Sequence, residues 1–426
     1  MKNFSRVGTL MLFAFTFLFL FVACQPAADA PAPVAPPAAG ADVPDIADVA
    51  APGDVAAPAA DAPADVDTVV IGMLAPLTGP AARFGTAVRD GAMLYLNSFN
   101  AQGGLQIDVR IFDEEGDLAQ AVIGYDSLVD QGITALIGSV TSGPTMAVVP
   151  LAYDDGMPMI TATSTHLNVT VEAGTGHVWS NVFRSCFIDP FQGTKMAEFV
   201  AEELGAQTAA VLYSNEIDYS IGLMEAFIIR AEELGIEIVA IERFAQDAID
   251  FVGQLTNIAA VNPDVLFIPG YVNHVALIGP QSVAAGLDTI LIGADGWDGV
   301  LAEMAEGQRH TLDGSFHMTG FSVEDESPMV QDFIGRFEAA TGHPPDMFSA
   351  QAYDAAMILV AAIQLAIADG HYPNTREFKD SVIAHMAATN MTAVTGHITF
   401  DQYNNPQKTA VIVEFTDGEP RLWGTF

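Results

Sequence analysis

The stretch from Gly138 to Thr165 constrains the fold more strongly than any other part of this chain. An apolar run at 135–137 leads into it, and Pro144 suits the first turn of a helix that would continue to about Asp154. A second apolar run, Pro158 to Thr161, follows after a short turn. The pattern predicts a β-α-β unit with two parallel strands.

Both predicted strands end in loops of small, hydroxyl-bearing residues. The residues are Ser139, Thr141, Ser142 and Gly143 after the first strand, and Thr161, Thr163, Ser164 and Thr165 after the second. In an open α/β sheet these loops line the ligand crevice, and a helix N-terminus directs free N–H groups into it. We therefore expect an anionic group, such as a carboxylate, at this position. The alternative is that Ser142 is only an ordinary helix cap.

The same strand, loop and helix pattern occurs in two blocks. Four strands are predicted between residues 69 and 161, and four more between residues 209 and 293. This rhythm predicts an α/β fold of two doubly wound parallel-sheet lobes with a cleft between them. Three later helices, at 328–341, 349–369 and 374–388, and strands at 397–400 and 411–415 complete the chain. We assign residues 67–188 and 319–395 to lobe 1 and residues 189–318 and 396–426 to lobe 2, joined by a three-stranded hinge.

The N-terminus has the features of a secretory signal. Lys2 and Arg6 precede an apolar run, Leu10 to Val22, that is short for a membrane span. The run ends in Phe-Val-Ala before Cys24, which resembles a bacterial lipoprotein signal. We predict a signal peptide at 1–23, a lipidated Cys24 and a disordered Ala/Pro/Asp tether at 24–66. The alternative is a plain cleaved signal with an incidental cysteine.

Composition and missing motifs exclude several function classes. The chain carries 15 basic and 53 acidic residues, a net charge of −38, so binding to nucleic acid or to an anionic membrane surface is not expected. It contains no nucleophile elbow, phosphate-binding loop, dinucleotide fingerprint or zinc-protease motif, and its nine histidines show no metal-ligand spacing. We expect no enzymatic activity, no metal and no cofactor.

Several motifs together resemble the type I periplasmic binding proteins, specifically the leucine/isoleucine/valine-binding group of ABC importers. They are PLTGPAARFG, GSVTSGPTMAVVPLA, PMITATST, VFRSCFIDPFQG, DYSIGL, NPDVLFIPGY and IGADGWD, which occur in the family's order and span nearly all of Val69 to Phe426. The small disulfide of the best-studied members, beside the carboxylate loop, is absent here because Cys186 is the only cysteine after Cys24.

The resemblance implies a ligand site built from both lobes. Ser142 and Thr165 match positions that grip the ligand carboxylate, Thr163 matches a carbonyl that takes part of the ammonium, and Ser164 lies between them. Asp295 matches the carboxylate that binds the ammonium. Three aromatic residues, Phe84, Tyr219 and Tyr271, match contacts to the ligand side chain and the second-lobe wall.

Alternatives to these assignments remain open. Asp295 could be a turn residue only, and Trp297 is interpreted as lobe core. We interpret Asp218 as a helix cap and His274 as an exposed residue at a helix start. Three further residues, Arg184, Asp189 and Gln192, are predicted to form a buried polar brace where the lobes join.

The resemblance implies a monomeric, lipid-anchored, extracytoplasmic receptor that closes around a branched-chain or related amino acid and delivers it to an ABC permease. A sensory module for a small amide or aromatic acid would share the fold. A hydrolase is the third class, and it would have to turn its ligand over.

Overall fold

The fold is described by a computed structural model that covers residues 67–426. The signal peptide, Cys24 and the tether predicted from the sequence therefore lie outside the described residues. Within the described range, strands and helices alternate over 68–161 and again over 208–293, as the sequence pattern predicted, and an additional strand and helix lie between the two blocks.

The first sheet has five strands, all parallel, in the order β2-β1-β3-β4-β5. Its strands are β1 (Thr68–Ala75), β2 (Gln106–Asp113), β3 (Leu136–Ile137), β4 (Met159–Thr161) and β5 (Val182–Arg184). They are connected by α1 (Ala82–Asn100), α2 (Leu118–Asp130) and α3 (Ser142–Asp154). The predicted β-α-β unit is β3-α3-β4, and both of its strands are fully buried, as expected for a sheet covered on both faces.

The second sheet has seven strands in the order β14-β13-β10-β9-β8-β6-β7. The strands are β6 (Thr208–Ser214), β7 (Glu237–Phe244), β8 (Val265–Phe267), β9 (Ile290–Gly293), β10 (Phe316–Thr319), β13 (Val411–Thr416) and β14 (Glu419–Thr425). Its helices are α4 (Asp189–Glu202), α5 (Asp218–Glu233), α6 (Val252–Val261) and α7 (Val272–Ala284). The strands from β6 to β10 are parallel, and β13 and β14 add an antiparallel pair at one edge.

Three helices return to the first lobe after β10. They are α8 (Pro328–Thr341), α9 (Met347–Ala368) and α10 (Arg376–Ala387), and α9 packs along α1. Gly91 permits this packing, because a Cβ at that position would lie 2.0 Å from the Ser349 carbonyl oxygen. By length and composition α9 is the one helix of residues 67–426 that could cross a membrane, but most of it is buried in the protein.

One predicted strand has a different partner. The sequence assigned 397–400 to the second lobe, but β12 (Gly396–Thr399) pairs with β11 (Asn390–Ala393) in a separate antiparallel hairpin. The chain passes between the two large sheets three times, over 185–188, 320–327 and 400–410. These crossings leave the carboxyl ends of both sets of parallel strands facing one cleft.

Candidate functional site

A small cavity lies between the two lobes at the carboxyl ends of their strands. Its walls contain six of the eight ligand-binding residues predicted from the sequence: Phe84, Ser142, Thr163, Tyr219, Tyr271 and Asp295. Four further residues that the sequence analysis did not assign to the site also line it: Val140, Thr141, Gly296 and Phe348. The structure therefore brings together residues that are up to 264 positions apart, from Phe84 to Phe348.

The first-lobe wall is polar and is formed by the N-terminus of α3. Ser142 is the first residue of this helix and is 1% exposed. The first backbone hydrogen bond of α3 runs from the Thr145 N–H to the Thr141 carbonyl oxygen, at 3.1 Å. The N–H groups before Thr145 therefore have no partner within the helix, so they can receive an anion.

Ser142 is not the cap of its own helix. The residue at the cap position is Thr141, whose side chain makes no capping bond. The Ser142 hydroxyl instead accepts the His166 N–H at 3.3 Å, which ties α3 to the loop after β4. The alternative interpretation of Ser142 as an ordinary cap is therefore wrong.

The loop after β4 supports this wall mainly through side chains that bond to backbone. Thr163 donates its hydroxyl to the Val140 carbonyl oxygen at 2.7 Å. Ser164 is fully buried, contacts the Thr145 hydroxyl at 2.5 Å, and does not line the cavity. Thr165 also lies outside the lining, and its buried hydroxyl has no hydrogen-bond partner within residues 67–426.

The second-lobe wall contains a buried carboxyl group, Asp295, at the end of β9. Its Oδ1 accepts the Tyr219 hydroxyl at 2.7 Å, and the Tyr219 oxygen accepts the Gly296 N–H at 2.8 Å. Gln192 holds the same loop, since its Oε1 accepts the Asp295 N–H at 3.0 Å. Asp295 is thus more than a turn residue, because its side chain is oriented by a neighbouring tyrosine and lines the cavity.

Burial alters the charge state of this wall. Desolvation raises the pKa of Asp295 to about 6, although the hydrogen bond from the Tyr219 hydroxyl opposes the rise. Desolvation also raises the pKa of Asp189 well above its usual range, and the nearby Asp295 raises it further. Neither Asp189 oxygen has a hydrogen-bond partner in the described part of the chain. Asp189 has Arg184 as a nearby cation, whereas Asp295, which lines the cavity, makes no salt bridge within residues 67–426. Asp295 therefore favours a positively charged ligand group between the lobes.

Aromatic rings form the third wall. Tyr271 stacks on Tyr219 with ring centroids 4.9 Å apart and meets Phe84, from the other lobe, edge-on at 5.3 Å. Phe348, in the first turn of α9, lies 4.6 Å from Phe84. These rings provide an apolar surface that suits an aliphatic group.

The lobes are closed over this cavity. Phe84, Tyr219 and Asp295 are 2–3% exposed. At the cleft mouth a Cβ on Gly143 of α3 would lie 3.4 Å from an Asp218 carboxylate oxygen of the second lobe. A ligand could enter or leave only if the lobes separate.

The predicted brace residues Arg184, Asp189 and Gln192 are fully buried as expected, but no hydrogen bond joins them to one another within residues 67–426. Arg184 is fully buried and donates to the backbone carbonyl oxygens of Ser164 at 2.8 Å and His166 at 3.0 Å. Trp297 is fully buried, and its ring N–H donates to the Ile268 carbonyl oxygen at 2.8 Å, which confirms it as lobe core. Cys186 is buried, and desolvation raises the pKa of its thiol to about 12, as expected for an inert thiol.

Two side-chain predictions were wrong. Asp218 makes no capping bond to α5 and instead faces Gly143 across the cleft mouth, because the residue at the cap position is Ile217. His274 is 2% exposed rather than solvent-facing. Its ring packs against Phe244 and contacts the Gln246 carbonyl oxygen at 2.8 Å, and both partners come from the segment that covers the start of α7.

No group of three or more histidine, cysteine or acidic side chains in residues 67–426 is arranged to hold a metal ion.

Comparisons with known proteins agree with this geometry. A family model described as "Periplasmic binding protein" matches residues 68–419. The leucine-, isoleucine-, valine-, threonine- and alanine-binding protein of Pseudomonas aeruginosa is 26% identical over 308 residues, covering 70% of this chain and 79% of that protein. Leu/Ile/Val-binding protein homolog 3 of Brucella melitensis is 28% identical over 301 residues, covering 70% and 79%.

Solved structures show the same fold. The substrate-binding protein LivJ of Streptococcus pneumoniae, in complex with isoleucine, superposes with a TM-score of 0.73 at 28% identity, covering 84% of this chain and 98% of that one. A solute-binding protein from R. palustris, in complex with benzoate, superposes with a TM-score of 0.75 at 24% identity, covering 84% and 96%.

Proposed function

The chain belongs to the periplasmic binding protein family, and we propose that it is the extracytoplasmic substrate-binding component of an ABC importer, with a branched-chain or closely related amino acid as its ligand. Family members are binding proteins, and the relatives described above are named for the amino acids that they bind. The proposal extends those ligands to this chain because of the chemistry of its cavity.

One observation carries the proposal: the cavity has opposite electrostatic character on its two sides. The α3 N-terminus and the Ser142 hydroxyl supply hydrogen-bond donors on the first lobe, and Asp295 supplies an acceptor on the second. A zwitterion placed between them would direct its carboxylate to α3 and its ammonium to Asp295. Each charge-assisted hydrogen bond would contribute about 1.5–3 kcal/mol net.

The aromatic wall restricts the ligand side chain. Phe84, Phe348 and Tyr271 surround the part of the cavity that faces away from the polar groups. Burial of an aliphatic side chain there would gain about 25 cal/mol per Å² of apolar surface. An aliphatic group suits this aromatic wall better than a polar one does, because a polar group would find no hydrogen-bond partner on the rings.

The benzoate-bound relative raises an aromatic acid as a second candidate. Benzoate would match the α3 N-terminus but has no cation for the second lobe. Asp295 would then stay buried in the cavity wall without a positive partner, which is costly. This carboxyl group therefore favours an amino acid.

Closure is the proposed mechanism. Each lobe carries half of the site, so a ligand that contacts both lobes shifts the population to the closed form. The permease would then recognise the closed shape.

We also propose that Cys24 is lipidated and that residues 25–66 tether the domain to the membrane. Replacement of Cys24 by Ala should move the protein from the membrane fraction to the soluble fraction of cells, and retention in the membrane would contradict the anchor.

Isothermal titration calorimetry of the purified chain against the individual proteinogenic amino acids and benzoate tests the ligand class. We expect binding of leucine, isoleucine or valine and no binding of benzoate. Binding of benzoate without any amino acid would contradict the proposal. Mass spectrometry of the ligand after incubation should show it unchanged, whereas turnover would indicate a hydrolase. Loss of amino-acid uptake on deletion of the gene would separate transport from a purely sensory role.

A further inference from the structure

Outside the ligand cavity, a second contact between the lobes joins one arginine and two half-buried aspartates. Arg83 lies in the first turn of α1 and Asp346 caps α9, both in the first lobe, whereas Asp298 follows β9 in the second lobe. None of these three side chains lines the ligand cavity. Their arrangement depends on closure because the second lobe contributes one of the two carboxyl groups.

The α9 N-terminus receives a carboxylate from each lobe. Asp346 accepts the Ser349 N–H at 2.9 Å, as an ordinary cap of its own helix. Asp298 reaches across from the second lobe and accepts the Met347 N–H at 2.8 Å. The first N–H groups of a helix lack partners within the helix, so Met347 is free to take this partner from the other lobe.

Arg83 makes the reciprocal contact, from the first lobe onto the second. A Cβ added at Gly299 would lie 2.2 Å from Arg83 Nη2 and 2.6 Å from its Nε, so the guanidinium rests directly against the glycine backbone. Gly299 has φ +79°, where glycine is also preferred for its backbone conformation. Only a residue without a side chain leaves room for the guanidinium at this distance.

The positive charge of Arg83 offsets the repulsion between two carboxyl groups that come from opposite lobes. Closure brings the carboxyl groups of Asp298 and Asp346, from opposite lobes, into one half-buried groove, where they repel each other. Arg83 Nη2 lies 3.8 Å from Asp346 Oδ2, and its positive charge also acts on Asp298. Without Arg83, two like charges would oppose closure.

We propose that Arg83, Asp298 and Gly299 form a latch that sets how often the lobes close, and therefore how tightly ligand binds, without contact to the ligand. The effect on affinity rests on the proposed function, whereas the effect on closure does not. The latch residues are thus positioning residues for the binding site.

The closure part can be measured without any ligand. Gly143 and Asp218 face each other across the closed cleft mouth. In a variant with Gly143→Cys and Asp218→Cys, a short bis-methanethiosulfonate reagent should join the two thiols at a rate proportional to the population of closed molecules. Every variant also carries Cys24→Ser. We expect Arg83→Ala to slow cross-linking by about tenfold, as a coupling in the middle of the range for contacting residues would do.

Gly299→Ala separates the latch from a general loss of stability. It should slow cross-linking when Arg83 is present and have a smaller effect in the Arg83→Ala background, because the clash is then gone and only the backbone strain at φ +79° remains. Arg89→Ala is the matched control, since within residues 67–426 this residue of the same helix pairs with its neighbour Asp90 alone, and it should leave the rate unchanged. The latch would be overturned if Arg83→Ala cross-linked at the wild-type rate. It would also be overturned if Gly299→Ala slowed cross-linking equally with and without Arg83, or if the protein with the wild-type latch did not cross-link at all.

A second readout connects the latch to binding. The Kd for L-leucine, measured on the same latch variants without the two introduced cysteines, should rise by the factor by which cross-linking slows. Slower cross-linking with an unchanged Kd would overturn the part of the proposal that concerns affinity. If the wild type does not bind L-leucine or any other amino acid, the proposed function fails, and the cross-linking rates still decide the closure part.

Discussion

Asp295, the buried carboxyl group of the candidate site, lowers the stability of the protein near neutral pH. Burial raises its pKa from 3.8 to about 6, so the native state favours the protonated carboxyl. Its contribution to stability is fully present below pH 3.8 and is lost as the pH rises through about 6. Near neutral pH the buried carboxylate therefore opposes folding until a ligand cation reaches it.

The substitution Asp295→Asn should stabilise the ligand-free protein near neutral pH. The amide keeps an acceptor for the Tyr219 hydroxyl and removes the buried charge. The pKa shift corresponds to a gain on the order of 3 kcal/mol at most. Urea unfolding across a pH series should show this gain above about pH 6 and almost none below pH 3.8. A gain that does not change with pH would contradict the charge argument.

At the scale of elements, close packing of α1 on α9 holds the first lobe together and positions Phe84 and Phe348 on the same cavity wall. Gly91 sets the separation of the two helices, since its Cα faces the Ser349 carbonyl group. Any side chain there would force α9 and the Phe348 ring away from the cleft.

Gly91→Ala should therefore destabilise the protein by about 1–3 kcal/mol, the usual cost of overpacking. Gly335→Ala in the exposed middle of α8 is the matched control, because nothing lies within 4 Å of its added Cβ. That control should stabilise the protein by roughly 0.5–1 kcal/mol through helix propensity. Urea denaturation of both variants measures the difference, and equal effects would show that the helix contact is not tight.

Elements with a strong local pattern could be predicted from the sequence, and contacts made at a distance could not. The unit β3-α3-β4 was predicted at nearly its observed limits, because buried strands and a proline-started helix leave a periodic signal.

Phe348 was missed because the predicted helix began at residue 349, whereas α9 begins at Met347. His274 was wrongly placed on the surface because the segment around Phe244 and Gln246, distant in sequence, covers it. The β11-β12 hairpin pairs neighbours that carry no register signal.

At the scale of the whole molecule, two α/β lobes meet around one small cavity and at the Arg83 latch. The cavity provides hydrogen-bond donors on one side, a carboxylate on the other and aromatic rings along a third wall. The lobes supply complementary halves, so neither lobe alone could bind a zwitterion tightly. Affinity should then depend on an ammonium that reaches Asp295 across the closed cleft.

Calorimetric titration tests this claim most directly. The wild type and Asp295→Ala are each titrated with L-leucine and with 4-methylpentanoate, which keeps the carboxylate and side chain of leucine but lacks the ammonium. We predict that the wild type binds leucine and binds the deaminated acid at least about tenfold more weakly, since loss of a charged hydrogen bond costs about 1.5–3 kcal/mol. Asp295→Ala should lose leucine binding. Equal wild-type affinity for the two compounds, or an unchanged leucine affinity in Asp295→Ala, would contradict the account.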